Sequence, residues 1–434
     1  MKWRKIGIIA LSVVLVCVAL LPAAYADTGD EENIWNRISV ERGTTDEFGG
    51  GDYVYVKSGS AFFGVLYGTE ENNNFVKILA DVERYAGGVD IYGSDGRLIS
   101  KRILRYHTFV GQQFNFAWEY VDKDGDAMFD FSVVDDNGTI VEEGDEPIKA
   151  ISFWGAWNMT DFHITNISNE EVRVDFTVER DNIPYTHIMD NTSVGDGVVN
   201  KIAIHFHITA RLEDRNVTGF PWYRYQRGEG ISLDHRENYS GKVVVFEVKY
   251  DKEIIGWDFK NESSRVVVEN TLFFGVAGMK GTLHLIRHKY GGCCAEIDNT
   301  TYDNQSLPMH RRIFRHGDRI VFTGVGNWER VGRFRWESNV TVDNTTKKAY
   351  YQIHGGFAYI KRWNNRVFAM IALRGGLIYP AGEHIFQDPS LSTEQMYIDF
   401  GLRYLPTGLI ALMSIVAIVA LAVALVFVYG LRRK

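Results

Sequence analysis

The sequence predicts an all-β fold, an antiparallel β-sandwich-like assembly in one or two domains with a single transmembrane helix at its C-terminal end. Three observations predict it: apolar and polar residues alternate along several segments, Gly is frequent (42) while Pro is scarce (8), and one long apolar run without charge lies near the end of the chain. Alternation with a period of two is typical of strands that have one buried and one wet face. Frequent Gly and rare Pro suit antiparallel strands joined by short hairpins.

The clearest alternating segments lie between residues 172 and 342. Their apolar positions are, segment by segment, Val172, Val174, Phe176 and Val178; Ile202, Ile204, Phe206, Ile208, Ala210 and Leu212; Val244, Phe246, Val248 and Tyr250; and Phe334, Trp336, Val340 and Val342. Each segment predicts strand structure with these side chains on the buried face. Ser-Asp-Gly-Arg at 94–97 and Asp-Asn-Gly-Thr at 136–139 predict hairpin turns, because Asp-Gly and Asn-Gly accept positive φ.

The N-terminal segment predicts export. A basic start is followed by an apolar run from Ile6 to Leu21 and by Ala-Tyr-Ala at 24–26. This order is typical of a secretory signal peptide, here residues 1–26, with cleavage between Ala26 and Asp27.

The C-terminal segment predicts a membrane anchor. Residues 408–429 carry no charge and consist mostly of Leu, Ile, Val and Ala, which is long enough for a helix that crosses a bilayer. Arg432, Arg433 and Lys434 follow and predict a cytoplasmic tail at 430–434. Residues 27–405 are then expected outside the cell, as the ectodomain of a single-pass type I protein of the cell membrane.

Turn-forming residues between 181 and 200 interrupt the strand pattern. They predict an N-terminal β domain at 27–180 and a second β domain at 181–405. The alternative is a single domain, which would follow if long strands ran through both halves.

Charge and cysteine content exclude some classes of protein. The net charge is -8, which argues against a nucleic-acid partner. Of three Cys, Cys17 leaves with the signal peptide, so no disulfide framework spans the ectodomain. Cys293 and Cys294 are adjacent, and neighbouring Cα atoms lie too close for relaxed bridge dihedrals. The pair therefore predicts an intermolecular disulfide in a homo-oligomer, or free thiols, ahead of a vicinal ring.

Glycosylation sequons are strongly enriched. Eleven of the 24 Asn begin Asn-x-Ser/Thr, whereas chance gives roughly one in eight. They are Asn137, Asn158, Asn166, Asn191, Asn216, Asn238, Asn261, Asn299, Asn304, Asn339 and Asn344. The enrichment predicts a heavily N-glycosylated surface, while residues 27–136 carry no sequon. Many sequons with few Cys suit an archaeal envelope at least as well as a eukaryotic cell surface.

An acidic segment offers oxygen ligands for a metal ion. Asp122, Asp124, Asp126 and Asp130 stand at relative positions one, three, five and nine, and the carbonyl of Met128 stands at position seven. The segment resembles the start of an EF-hand or dockerin-type calcium loop, in which hard oxygens spaced two apart curl around Ca²⁺.

Two positions depart from that pattern. Position six is Ala127 rather than Gly, and position twelve is Val133 rather than Glu. Residues 114–120 and 128–134 read as strands, so the resemblance implies a calcium-stapled hairpin and not an EF-hand fold. The alternative is a solvated acidic turn without metal.

Histidine and aromatic clusters supply weaker candidates. His205 and His207 lie on one face of a predicted strand, a spacing that could bind Zn²⁺, although the sequence names no third ligand. The alternative is a pair of surface histidines. The aromatic and basic residues at 220–225, like Trp154 and Trp157, could stack on sugars or lipid headgroups, or else fill the core.

The sequence as a whole favours a membrane-anchored glycoprotein with a structural, adhesive or ligand-binding role and calcium as the candidate cofactor. Its expected partners are the membrane, a surface glycan or protein ligand, and a second copy. The alternative is an anchored ectoenzyme that acts on glycans or uses zinc. No phosphate-binding loop or nucleophile motif stands out in the sequence.

Overall fold

The computed structural model describes residues 38–46, 50–59, 61–130, 133–134, 140–142, 144–187, 193–226, 228–279, 294–297, 300–303, 312–314, 319–323, 330–363 and 366–398. In these ranges the chain is all-β and predominantly antiparallel, as the sequence predicts, and contains no helix. Accordingly, none of the described elements is a helix that could cross a membrane. The predicted signal peptide, transmembrane helix and cytoplasmic tail lie outside the described residues.

Twenty-four strands are present in the described part of the chain. The first twelve are β1 Ile38–Thr45, β2 Gly51–Ser58, β3 Ala61–Tyr67, β4 Lys77–Tyr92, β5 Leu98–Val121, β6 Val133–Val134, β7 Ile140–Glu142, β8 Glu146–Ser152, β9 Asn158–Ser168, β10 Glu171–Thr186, β11 Ser193–Gln226 and β12 Gly230–Ile255. The others are β13 Ser264–Met279, β14 Cys294–Ile297, β15 Thr300–Asp303, β16 Arg312–Phe314, β17 Arg319–Thr323, β18 Arg330–Trp336, β19 Asn339–Val342, β20 Thr345–Lys348, β21 Tyr350–Trp363, β22 Arg366–Pro380, β23 His384–Gln387 and β24 Pro389–Ile398.

Hydrogen bonds connect the strands in two series of nine. The first series is β1-β2-β3-β4-β5-β13-β22-β21-β16, and the second is β9-β10-β11-β12-β24-β18-β17-β14-β15. Strand β8 pairs with both β5 and β10, and β23 joins β12 to the β19–β20 hairpin. The two series also meet where β4 and β11 pair in parallel, the one parallel pairing among the described strands.

The main hydrophobic core lies between the two series. Phe63 of β3 contacts Phe246 of β12 with ring centroids 6.0 Å apart, and Phe114 of β5 meets Tyr250 of β12 edge to face at 5.6 Å. The hydroxyl of Tyr250 also donates a hydrogen bond to Gln112 of β5. A buried hydroxyl without a hydrogen-bond partner lowers the stability of the folded state. The bond to Gln112 therefore allows the Tyr250 hydroxyl to be buried in the core.

The predicted alternation is confirmed in all four segments. Each apolar position named for them is buried, and the segments form β10, β11, β12 and the pair β18 and β19. The fourth segment is two strands rather than one, because the chain turns at residues 337–338. The turn predicted at 94–97 joins β4 to β5, and the one predicted at 136–139 lies outside the described residues. Residues 389–398 form β24.

Strands from the two predicted domains pack together. β5 from the first segment pairs with β13 from the second along most of its length, and one hydrophobic core contains side chains from both. Residues 181–200 belong to β10, β11 and the connection between them. The division at 181 and its single-domain alternative both stay predictions.

Candidate functional site

The acidic segment forms a compact loop directly after β5. One carboxylate oxygen from each of Asp122, Asp124 and Asp126 lies within 4.8 Å of the others. In the described part of the chain, this is the one group of three such side chains close enough to share a metal ion. Asp122 is buried, Asp126 half-buried and Asp124 exposed, so the cluster opens toward solvent on one side.

Backbone N–H groups of the loop orient the carboxylates. Gly125 and Ala127 donate to the two oxygens of Asp122 at 2.8 and 3.1 Å, and Met128 donates to Asp126 at 2.7 Å. Ala127, at position six, has a φ of 69°, the left-handed conformation that the Gly of a calcium loop adopts. For Ala this conformation costs about 1–2 kcal/mol. The hydroxyl of buried Tyr120 donates to the Ala127 carbonyl at 3.1 Å and helps to hold it.

A cation of the protein already contacts the most buried carboxylate. Nε of Arg265, on β13, lies 2.6 Å from Oδ2 of Asp122. This ion pair offsets part of the repulsion that three clustered carboxylates create. Asp124, the exposed member of the cluster, is therefore the carboxylate most accessible to a hard cation.

Asp145 closes the loop, although sequence spacing gave no signal for it. Its carboxylate accepts hydrogen bonds from the N–H groups of Lys123 and Asp130, both at 2.9 Å, and its own N–H donates to the Asp130 carbonyl at 2.8 Å. Burial, together with the charges of Asp122 and Asp124, raises the pKa of Asp145 against these hydrogen bonds. Asp130, predicted as a ligand, thus contributes its backbone to the base of the loop.

The rest of the segment packs as a lid over aromatic side chains of β5. Met128 and Phe129 are buried, and the Phe129 ring meets Trp118 edge to face at 4.7 Å. Oε1 of Gln352 accepts a hydrogen bond from the N–H of Phe129 at 2.9 Å, and Nε2 of Gln352 donates one to the Phe129 carbonyl at 2.8 Å. The predicted second strand is wrong for residues 128–130, because these contacts replace strand pairing; only β6 follows.

The two zinc candidates lie on the wet face of β11 and contact different neighbours. Nδ1 of His205 lies 2.9 Å from the Thr177 hydroxyl, and its Nε2 lies 3.4 Å from Glu253. Nδ1 of His207 lies 2.5 Å from Asp175.

Carboxylates dominate the environment of His207. The carboxylates of Asp251, 3.6 Å from Nε2, and of Asp175, hydrogen-bonded to Nδ1, raise the pKa of His207. No third donor converges on His205 and His207 within the described residues, so zinc binding stays a prediction and the contacts are those of surface ion pairs.

The sequon asparagines that the structure describes are all exposed. They are Asn158, Asn166, Asn216, Asn238, Asn261, Asn339 and Asn344. Of the eight other described Asn, Asn74, Asn115 and Asn270 are buried. Exposure is what attachment of a bulky glycan requires. Asn137, Asn191, Asn299 and Asn304 lie outside the described residues.

The aromatic segment at 220–225 is part of β11. Phe220, Trp222 and Tyr223 are buried, whereas Tyr225 is 41% exposed. The indole N–H of Trp222 donates to the Tyr239 hydroxyl at 2.8 Å. Most of these rings therefore fill a local core, and the binding role stays a prediction for the exposed ring of Tyr225. The second cluster divides in the same way, with Trp154 exposed and Trp157 buried.

Sequence patterning does not identify the buried ionisable side chains on β4 and β5. Nδ1 of His107 lies 3.1 Å from Asp81, and Arg105 lies 3.4 Å from the buried Glu83. Burial opposes the charged form, yet Asp81 and Glu83 raise the pKa of His107 to about 9. The alternation pattern identifies all these positions only as polar. Their proximity depends on the register between β4 and β5, which the sequence pattern does not give.

The cysteines and the processing site are described only in part. Cys294 begins β14, opposite Asp303 and Thr323 on the neighbouring strands. Cys293, Ala26 and Asp27 lie outside the described residues, so the intermolecular disulfide and the cleavage site stay predictions.

Comparison with known proteins identifies no family. No protein-family model matches the chain, and no curated protein sequence does. Among solved structures, the high-pH structure of Pseudomonas putida OprB aligns with 84% of this chain and 95% of its own, at 8% identity and a TM-score of 0.11. A likeness at this level carries no structural or functional argument.

Proposed function

We propose that the chain is a membrane-anchored, N-glycosylated cell-surface protein with a structural, adhesive or ligand-binding role. The exposure of every described sequon asparagine carries this proposal. Burial of these asparagines would have indicated that the sequons occur by chance and carry no glycan. Three other Asn are buried, so exposure is not simply a property of every Asn in this fold.

The arrangement of strands suits such a role. In this proposal the two hydrogen-bonded series are the two layers of a β-sandwich-like ectodomain, with the aromatic core between them. Long strands on both layers make a rigid spacer, and glycans cover its wet faces. Residues 408–429 hold it to the membrane as a helix.

Calcium binding is part of the proposal for the loop at 122–130. The ion would be held by oxygens of Asp122, Asp124 and Asp126, whose spacing and left-handed Ala127 match the calcium-loop pattern. Bound Ca²⁺ would offset the charge of the three carboxylates and stiffen the end of β5.

Fractionation of the native membrane tests the anchor and the glycans together. The full chain should stay in the pellet after an alkaline carbonate wash and dissolve only in detergent. A matched chain that stops at residue 405 should appear in the medium with the same glycans. Release of the full chain by carbonate, or a protein without sugar in both forms, contradicts the proposal.

A further inference from the structure

Four strand segments form a small sheet at one end of the molecule. They are 88–92 of β4, 98–103 of β5, 222–226 of β11 and 230–235 of β12, here called the hairpin tip. In the described residues, the pairing of β13 with β5 ends at Tyr106, and the pairing of β24 with β12 ends at Gly241. Among the described strands, the hairpin tip therefore extends beyond the two layers.

Buried aromatic packing makes the hairpin tip rigid. The ring of Trp222 lies against Gly88, where any Cβ would clash with it, and Lys101 stands 5.2 Å above the same ring. His235 stacks on Trp222 with the two planes 6° apart. The parallel pairing of β4 with β11 thus depends on a glycine and produces a preformed surface.

Most of the exposed large apolar side chains of the described chain lie on this tip. Five of the nine are there, each between 41% and 69% exposed. They are Leu98, Ile99, Tyr225, Ile231 and Leu233. The last three share one face of the sheet, since Tyr225 pairs with Ile231 and Leu233 pairs with Tyr223. A concentration of exposed apolar groups of this kind marks an interaction surface.

Basic residues accompany these apolar groups. Arg97, Lys101 and Arg102 are exposed beside Leu98 and Ile99 on β5. Residues 88–103 and 222–235, which span the hairpin tip and its two turns, contain five Lys and Arg against four Asp and Glu, although the whole chain has a net charge of -8. The hairpin tip is thus slightly positive on an acidic protein, and its exposed cations beside Leu98 and Ile99 complement an anionic partner.

The direction of the last strand relates the tip to the proposed anchor. β24 runs antiparallel to β12 and ends with Ile398 opposite Gly241, heading toward the tip. From Gly241 to the end of the tip at Gly230, β12 continues for about 36 Å. The ten residues from Ile398 to Gly408 can reach at most about 36 Å. The start of the proposed membrane helix and the hairpin tip can therefore lie at one level.

The strand segments of the hairpin tip contain no sequon. None occurs in residues 27–136 or 217–237, and the nearest are Asn216 and Asn238. Asn238 lies eight residues along β12 from Gly230, about 26 Å from the end of the tip. A glycan there would stand above a surface that approaches the membrane, rather than between the two.

We propose that the hairpin tip docks on the anionic lipid headgroups of the membrane that holds the chain's own anchor. Leu98, Ile99 and Tyr225 enter the interfacial layer, where apolar and aromatic side chains are favoured. Arg97, Lys101 and Arg102 contact lipid phosphates. The docking rests on the proposed anchor and fixes the ectodomain at two points, which sets its orientation.

The test places a fluorescent label at each end of β5 in the full chain. In a Cys293→Ser/Cys294→Ser background, Ile99→Cys labels the tip, and Lys123→Cys labels the acidic loop at the other end. Each protein is reconstituted in phosphatidylglycerol–phosphatidylcholine vesicles that contain lipid spin-labelled at the headgroup. Quenching at position 99 should exceed that at position 123 by about two-fold or more, because the labelled lipid lies at the interface.

Charge reversal tests the electrostatic part with a matched control. Arg97→Glu/Lys101→Glu/Arg102→Glu should lower the quenching at position 99, as should high salt. The control, Arg333→Glu/Lys347→Glu/Lys348→Glu, changes the net charge equally on strands remote from the tip and should leave quenching unchanged. Thermal unfolding of each variant checks that it is folded.

The outcomes separate this proposal from the anchor. Equal quenching at the two positions in a chain that resists carbonate extraction overturns the docking alone. So does energy transfer between tip labels of two chains without quenching by lipid, which would make the tip a contact between copies. A chain that carbonate removes from the vesicles overturns the anchor and the docking together.

Discussion

The acidic loop and the hairpin tip lie at opposite ends of β5. The loop pairs its charged side chains within the chain, whereas the tip leaves apolar side chains exposed. At the loop, Asp122 and Asp145 accept hydrogen bonds from the chain's own N–H groups, and Arg265 pairs with Asp122. At the tip, Leu98 and Ile99 remain exposed beside three cations. The loop end is built to be stable by itself, whereas the tip end retains apolar surface that a partner would cover.

The largest contrast should appear when one apolar side chain is removed at each end. Phe129→Ala deletes a buried ring between Trp118 and Tyr120 and should lower the free energy of unfolding by about 4 kcal/mol. Ile231→Ala, at the tip, should change it by about 0.5 kcal/mol or less. Denaturant unfolding of the detergent-solubilised chain measures both. Similar losses would mean that the tip is part of the core.

The pH dependence of stability tests the buried His107 in the middle of β5. The pKa of His107 is about 9 in the folded protein, against 6.5 for an ordinary His, because Asp81 lies beside it in a buried site. Since the folded value is higher, the stabilisation is fully present below pH 6.5 and is lost as pH rises through 9. It amounts to at most about 3 kcal/mol.

The variant His107→Gln should therefore flatten the fall in stability between these two pH values. His163→Gln replaces an exposed His on β9 and serves as the matched control, with an unchanged profile expected. Unfolding midpoints measured across the pH range decide the point. A profile of His107→Gln with the same slope as the unchanged protein would remove His107 as its source.

Calcium should produce a smaller difference in stability between variants at the two ends. At a free concentration about ten times Kd, binding would stabilise the chain by about 1.4 kcal/mol. Asp124→Ala should abolish this gain and leave stability in chelator unchanged, because Asp124 is the exposed member of the cluster. Asp95→Ala, in the turn at the tip end, should keep the full gain. An equal loss for Asp124→Ala with calcium and with chelator would refute the site.

Sequence periodicity predicted the strands better than it predicted the sites. Val174 and Phe206 could be assigned to a buried face because alternation is local. Asp145 could not be assigned to the loop, since the chain returns to the loop only after β6 and β7. The tip was also hidden, because Tyr223 pairs with Val89 through a parallel contact between distant strands. A site whose residues come from different strands can be identified only from the fold. The buried face of a single strand can be predicted from its sequence alone.

Glycopeptide mass spectrometry of the chain from its native membrane tests the central proposal most directly. The surface-glycoprotein proposal predicts sugar on the exposed sequons, such as Asn216, Asn261 and Asn339, in protein that only detergent releases. It also predicts a mature chain that begins at Asp27. Unmodified peptides at these sequons, from a chain that still carries residues 1–26, would contradict it.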